Sequence, residues 1–349
     1  MNWAERVFGP VSFQFAKIAA VDSCGMCEMC KEIFESEFMK AVKAIECPGS
    51  KWIYLYEASD ASETGIGEEL QQKYGYSAQA VRDQIEKIKA QSSDYLIKVA
   101  LSGGENAEAA CAALQIRTTE TDKDRALRLI DSPVSEERAL GVRMVTHYRD
   151  SEFQPAILAR LYELSKTEKD SEVLEDLCFA MSNLGADEAV PHLEHLVDHE
   201  SSAVRFALAN CFFGTTEPGG LFCLRILARD ENDKVRNWAV TGLGVSVVAI
   251  FQELEYSRKI FLERLDDENG STRLEAMYAL IKLGEKSEKV LSALKTELNT
   301  DPVPLIAIEA ATLFASPLLK EALVSLRERT EPNDSYLPDI ELAVEACRG

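Results

Sequence analysis

One short pattern is written three times between Asp198 and Gly284, and it constrains the fold more than any other feature. The copies read HESSAVRFALANCFFG, RDENDKVRNWAVTGLG and DDENGSTRLEAMYALIKLG. Each has an acidic or polar turn, a small β-branched residue followed by arginine, and a helical run rich in small residues. The arginines are Arg205, Arg236 and Arg273, 31 and 37 positions apart. A period in that range marks a helical solenoid, in which each hairpin covers its neighbours and no single central core is needed.

Weaker copies carry the pattern in both directions. The spacing predicts helix pairs at 123–131 with 135–148 around Arg138, and at 154–166 with 171–184, the latter ending at Gly185 as a C-cap. The strong copies occupy 189–214, 219–244 and 258–284. A further pair spans 288–315, with Asp301-Pro302 opening its second helix. The tail, 318–348, predicts two capping helices split by TEPNDSYLP. Upstream, helices are expected at 13–20, 28–45, 67–74, 78–91, 93–101 and 105–114. The helix at 28–45 carries an apolar stripe of Ile33, Phe34, Phe38, Val42 and Ile45. KWIYLYEA, 51–58, is the one strand-like segment, with no obvious pairing partner. The expected division is an irregular, mostly helical region at 1–100 and a solenoid at 101–349, strongest at 189–284.

The order of acidic turn, Val/Thr-Arg, Ala and Leu at helical spacing, then Gly resembles the HEAT repeat, in the bacterial variant shared with phycobilin-lyase subunits. The resemblance covers roughly residues 123–320. It implies an all-α fold, a right-handed α-solenoid of HEAT-like helix hairpins, with first helices convex and second helices lining a concave side. It also implies a ladder between repeats that puts Asp198, Asp230 and Asp266 near Arg205, Arg236 and Arg273. These arginines are read as structural, not as phosphate ligands.

Charge narrows the partners. The chain has 59 acidic against 38 basic residues, a formal net charge of −21. Such a surplus repels phosphate backbones and anionic lipid surfaces. HEAT-like DNA glycosylases need a basic concave surface, so no direct nucleic-acid contact is expected. The charge suits either a plain solvated surface or a basic protein partner. No apolar run approaches the ~18 residues of a membrane span, and MNWAERVFGPVSFQFAK lacks a secretory pattern. Nine scattered cysteines look like cytosolic thiols, so the expected localisation is cytoplasmic.

Three constellations carry possible chemistry. Cys24, Cys27 and Cys30 form C-x-x-C-x-x-C, with Cys47 following after sixteen residues. In a loop these thiolates offer a Zn²⁺ or iron–sulfur site, as in the HEAT-containing epoxyqueuosine reductases; in a helix they spread over too wide an arc to share one ion. Buried or free thiols are the alternative. His192, His195 and His199 fall on one helical stripe, suited to a metal only if a carboxylate joins them. His199-Glu200 resembles one of the four His-Glu pairs that deoxyhypusine hydroxylase requires, and the neighbouring copies read Glu231-Asn232 and Glu268-Asn269 instead. There is no Gly-rich phosphate loop, nucleophile elbow or triad signature. No catalytic residue and no cofactor is expected.

The helical period sorts the second helices into two faces. Val204, Leu208, Cys211 and Phe212, Val235, Ala239, Gly242 and Leu243, and Thr272, Ala276, Ala279 and Leu280 face the core. Phe206, Asn237 and Leu274, then Asn210, Thr241 and Tyr278, lie opposite, with Phe213 and Trp238 at that edge. Aromatics beside neutral amides on a solvent-facing stripe are the composition of a protein-binding surface, although packing by neighbouring repeats or the N-terminal segment would also account for them. The function expected is a protein–protein interaction scaffold, an adaptor or inhibitor, with an immunity-type protein against a basic toxin as one version. The alternative is a cofactor-handling lyase or chaperone-like subunit, or a metal protein using the N-terminal cysteines.

Overall fold

The computed structural model describes residues 44–46, 53–55, 87–103, 106–149, 151–249, 254–331 and 335–348. The described residues group into two compact units, one ending at Cys211 and one beginning at Phe212. Both are built from helical hairpins, and the architecture is an all-α solenoid.

Among the described residues the one exception to helix is a short antiparallel ribbon of β1 (Ala44–Glu46) and β2 (Ile53–Leu55), registered Ala44 to Leu55. The expected strand within 51–58 therefore has a partner. Ala44 and Ile45 are in that partner strand rather than at the end of a helix, because their backbone groups are taken by the ladder. The helices expected at 13–20, 67–74 and most of 28–45 and 78–91 lie outside the described residues.

In the first unit, α1 (Ser93–Leu101) and α2 (Ala107–Gln115) pair, then α3 (Glu120–Ile130) with α4 (Ser135–Met144), and α5 (Gln154–Ser165) with α6 (Ser171–Leu193). Second helices α2, α4, α6 and α7 (Ser202–Cys211) pack on one another in turn, so they form one layer. α6 is broken at Gly185, where the backbone is extended (φ 163°), so one continuous run supplies a second helix and then the first helix of the next pair. Gly141 sets the tightest approach: a Cβ there would stand 2.7 Å from the Ile130 amide nitrogen and 2.8 Å from the Ala126 carbonyl. Tyr148 is fully buried, and its hydroxyl donates to the Thr119 carbonyl at 2.8 Å.

The second unit repeats the plan. α8 (Pro218–Leu227) pairs with α9 (Asp233–Ala249), α10 (Leu254–Arg264) with α11 (Gly270–Lys282), α12 (Glu288–Leu298) with α13 (Leu305–Phe314), and α14 (Lys320–Arg329) with α15 (Leu337–Ala346). Second helices α9, α11, α13 and α15 pack in sequence. Two expected boundaries move. α9 runs past Gly244 to Ala249, because that glycine lies inside the helix against Ala279, where an added Cβ would come within 3.2 Å of the Ala279 Cβ. α13 starts at Leu305 behind an N-cap Pro304, so Asp301-Pro302 belongs to the preceding turn. The core faces sorted from the sequence are buried throughout: Val204, Val235, Thr272, Leu208, Ala239, Ala276, Leu243 and Leu280 are all fully enclosed.

Candidate functional site

The repeat arginines occupy equivalent places. Arg138, Arg205, Arg236 and Arg273 each donate through Nη1 to the backbone carbonyl six residues upstream, on Ser132, His199, Asp230 and Asp267, at 2.7–3.1 Å. That bond closes the turn between the two helices of a hairpin. The other guanidinium edge reaches forward. Arg138 clasps both carboxylate oxygens of Glu168 at 2.7 and 3.0 Å, and Arg236 does the same to Asp267 at 3.0 Å each. Two parallel bonds to one carboxylate fix orientation as well as charge.

The expected pairings of Asp230 with Arg236 and of Asp266 with Arg273 therefore change. The acid opposite Arg236 is Asp267 of the following hairpin, and the Asp266 carboxylate is taken by Lys289 at 2.7 Å. Asp230 meets Arg236 through its backbone carbonyl, and its own carboxylate accepts from the Asn232 amide at 2.8 Å. Asp267 accepts from Asn269 in the same way at 2.9 Å, and Asn232 and Asn269 then cap their helices. His199 takes the same turn position in its hairpin, where its Nδ1 accepts from the Ser201 amide at 3.1 Å. His192 is stacked on Tyr162, ring centroids 3.7 Å apart, and burial lowers its pKa. His192 and His199 are therefore engaged in packing and in a turn. Among the described residues no three His, Cys, Asp or Glu side chains converge as a metal site. Cys24, Cys27, Cys30 and Cys47 lie outside the described residues.

The expected binding stripe is less open than its composition suggests. Phe206, Asn210, Phe213, Asn237, Trp238 and Leu274 are half-buried, while Thr241 and Tyr278 are only 6% and 7% exposed. Thr241 turns its hydroxyl back to the Asn237 carbonyl at 2.9 Å, which draws it into the helix surface. Phe213 and Trp238 pack obliquely with centroids 5.6 Å apart, and Lys282 lies over the Tyr278 ring at 5.3 Å. The stripe is a half-enclosed face, not a fully solvated one.

Sequence sorting also passed over the ionisable groups on these helices. Glu275, on α11 between Leu274 and Tyr278, is half-buried, and burial pushes its carboxyl up to about 8 against the pull of Lys282. Burial lowers the Lys282 ammonium in turn. In the first unit, Arg143 of α4 meets Asp176 of α6 at 2.7 Å and Glu172 at 2.9 Å. Burial drives the Asp176 carboxyl up to about 7 and Arg143 restrains the rise. A search confined to apolar periodicity could not find these residues. For Glu275 the usable signal was a charged residue two places beyond the repeat arginine, where the other copies carry Ala207 and Trp238.

The model of the HEAT repeats family matches residues 222–315, from within α8 to the end of α13. Among solved structures, the X-ray structure of YibA from Escherichia coli is similar at 20% identity, covering 76% of this chain and 95% of that one with a TM-score of 0.63. Two engineered proteins are similar at 18% identity. One match covers 65% of this chain and 96% of the other at a TM-score of 0.33; the second covers 99% and 93% at 0.47. No curated protein matches the chain. The YibA likeness bears on the fold alone.

Proposed function

We propose that the chain, whose residues 222–315 match the HEAT repeats, is a non-enzymatic scaffold, an adaptor or inhibitor, that captures another protein along the second helices α9 and α11. The observation that carries this reading is the residue contrast between the two faces of α9 and α11. Their core face holds Val235, Ala239, Gly242, Leu243, Thr272, Ala276, Ala279 and Leu280, whereas the opposite stripe holds Asn237, Trp238, Glu275 and Tyr278. Half-enclosed aromatics flanked by polar groups supply large contact area together with orientation, as at protein-binding hot spots.

A basic client suits the net charge of −21, and an immunity-type role against a basic toxin is the most specific form of that idea. Five described cysteines, Cys111, Cys178, Cys211, Cys223 and Cys347, carry no disulfide, which supports work in a reducing, cytoplasmic setting. No helix among the described residues is long and apolar enough to cross a membrane. The test is affinity capture from the source cell with wild type, Trp238→Ala and Leu274→Ala. The reading requires one partner held by wild type and lost from both variants while circular dichroism stays unchanged. Capture that survives both substitutions sinks it.

A further inference from the structure

The first helices of the second unit carry an exposed ridge of their own. Tyr256 on α10 is 71% exposed, the most open large apolar side chain among the described residues, and Phe222 on α8 is 60% exposed. Arg225 stands one turn along α8 from Phe222 and holds its guanidinium over the Tyr256 ring, 5.5 Å from the centroid. One turn further on, Arg229 donates to the Glu263 carboxylate at 2.6 Å, both side chains reaching solvent. These two links set α8 beside α10, with Phe222, Arg225 and Arg229 along one stripe and Tyr256, Lys259 and Glu263 along the other. Lys259 is exposed and has no ion pair among the described residues. Single exposed apolar residues are ordinary, but two aromatics joined by a cation across neighbouring helices make one continuous contact surface.

The charge of this ridge runs against that of the chain. Residues 217–229 and 254–264 hold five basic against three acidic side chains, the reverse of the chain's 38 against 59. Arg229 already holds Glu263, and Arg258 and Arg264 turn to Glu285 and Asp267, which leaves Arg225 and Lys259 beside the rings. The acid-rich turns begin at Asp230 and Asp266, roughly 12 and 15 Å along the helix axes from Phe222 and Tyr256. Screening at physiological salt acts over about 8 Å, so the local cations decide what seats on the rings. We propose that this ridge of α8 and α10 docks an acidic, apolar segment of a second partner protein. Its apolar side chains pack on Phe222 and Tyr256, and its carboxylates accept from Arg225 and Lys259. The ligand must bring acceptors, since guanidinium and ammonium groups only donate. A phosphate backbone is a poorer match, because nucleic-acid binding draws on many more cations than these. The surface goes beyond client capture along α9 and α11 and stands independently of it; with both, the chain is an adaptor and not an inhibitor.

The experiment is fluorescence anisotropy with the full chain in about 0.15 M salt. One labelled peptide alternates leucine and phenylalanine with pairs of glutamate, and its twin has lysine at every glutamate. The glutamate peptide should bind saturably, and Phe222→Ser and Tyr256→Ser should each weaken it about fivefold or more. Both residues are exposed, so the variants should keep the circular dichroism of wild type. Lys259→Glu should weaken the glutamate peptide about threefold and tighten the lysine twin. Trp238→Ala should leave the glutamate peptide within about twofold of wild type. No saturable binding of the glutamate peptide, or equal losses of the two peptides in Phe222→Ser, overturns the inference. So does binding of labelled oligothymidylate that Phe222→Ser removes, which assigns the ridge to nucleic acid. A wild type that sediments as a dimer, with Tyr256→Ser a monomer, overturns it in favour of a second copy of this chain. Failure here with client capture still lost in Trp238→Ala removes the second surface and leaves the scaffold reading standing, whereas failure of both removes both.

Discussion

Replacing Arg236 with methionine keeps the apolar stem of the side chain and removes four hydrogen bonds. Two go to the Asp267 carboxylate at 3.0 Å each, and two to the carbonyls of Asp230 and Glu231 at 2.9 and 3.0 Å. The Asp267 side chain is only 2% exposed and the Arg236 side chain 13%. Breaking a buried pair from one side typically costs about 3–5 kcal/mol, because the surviving charge is stranded. Asp267 is not wholly stranded here, since Arg264 at 3.1 Å and the Asn269 amide at 2.9 Å remain. The lower end applies, and Arg236→Met should cost about 3 kcal/mol. Urea denaturation followed by circular dichroism measures it, read on the transition of the unit that begins at Phe212. The pH dependence gives a second reading. Burial alone would raise the Asp267 carboxyl, but the hydrogen bonds from Arg236 and the Asn269 amide outweigh it and hold the group below its ordinary value. A depressed carboxyl stabilises the native state above its unfolded value of about 3.9 and loses that contribution as pH falls through the folded value. Wild type should therefore weaken more steeply than Arg236→Met below about pH 4. A variant within about 1 kcal/mol of wild type, with the same acid profile, would refute the claim that the arginine ladder holds successive hairpins together.

The remaining predictions concern backbone, packing and titration. Gly141→Ala forces α3 and α4 apart at the Ile130 amide and should cost about 1–3 kcal/mol in the unit that ends at Cys211, measured by thermal unfolding. Ala315 caps α13 in the left-handed region at φ 48°, so Ala315→Gly should stabilise by up to about 1 kcal/mol; destabilisation would contradict the strain assigned there. Glu275 keeps its proton in the native state up to about pH 8, while the unfolded chain releases it near 4.5. Its folded pKa is raised, so stability should fall as pH rises through that window, and Glu275→Gln should flatten the fall in urea midpoints taken at pH 5.5 and 8.5.

Much of the fold was legible because a hairpin repeat writes its core three times over. Val204, Val235 and Thr272 mark one buried place, and the residues four and eight positions on confirm the helical period. Details that depend on neighbours were less readable. Gly244 carries the sequence signal of a helix stop, yet close packing on Ala279 gives it a place inside α9. Asp266 and Asp267 are adjacent acids, and only the turn geometry decides that the second meets Arg236. His199 looked like half of a metal pair until the turn showed it accepting the amide that Asp230 and Asp267 accept elsewhere. Tyr278 was expected in solvent, but a residue opposite the core in one hairpin is still flanked by the helices stacked on either side. For the same reason a charged residue such as Glu275 can be half-buried on a helix whose polarity reads as exposed.

The scaffold account is tested most directly by hydroxyl-radical footprinting of the chain alone and with its captured partner. Protection of Trp238, with Phe222 and Tyr256 on the first helices α8 and α10 unchanged, is the predicted result. Protection confined to Phe222 and Tyr256, with Trp238 reacting equally in both states, would contradict it.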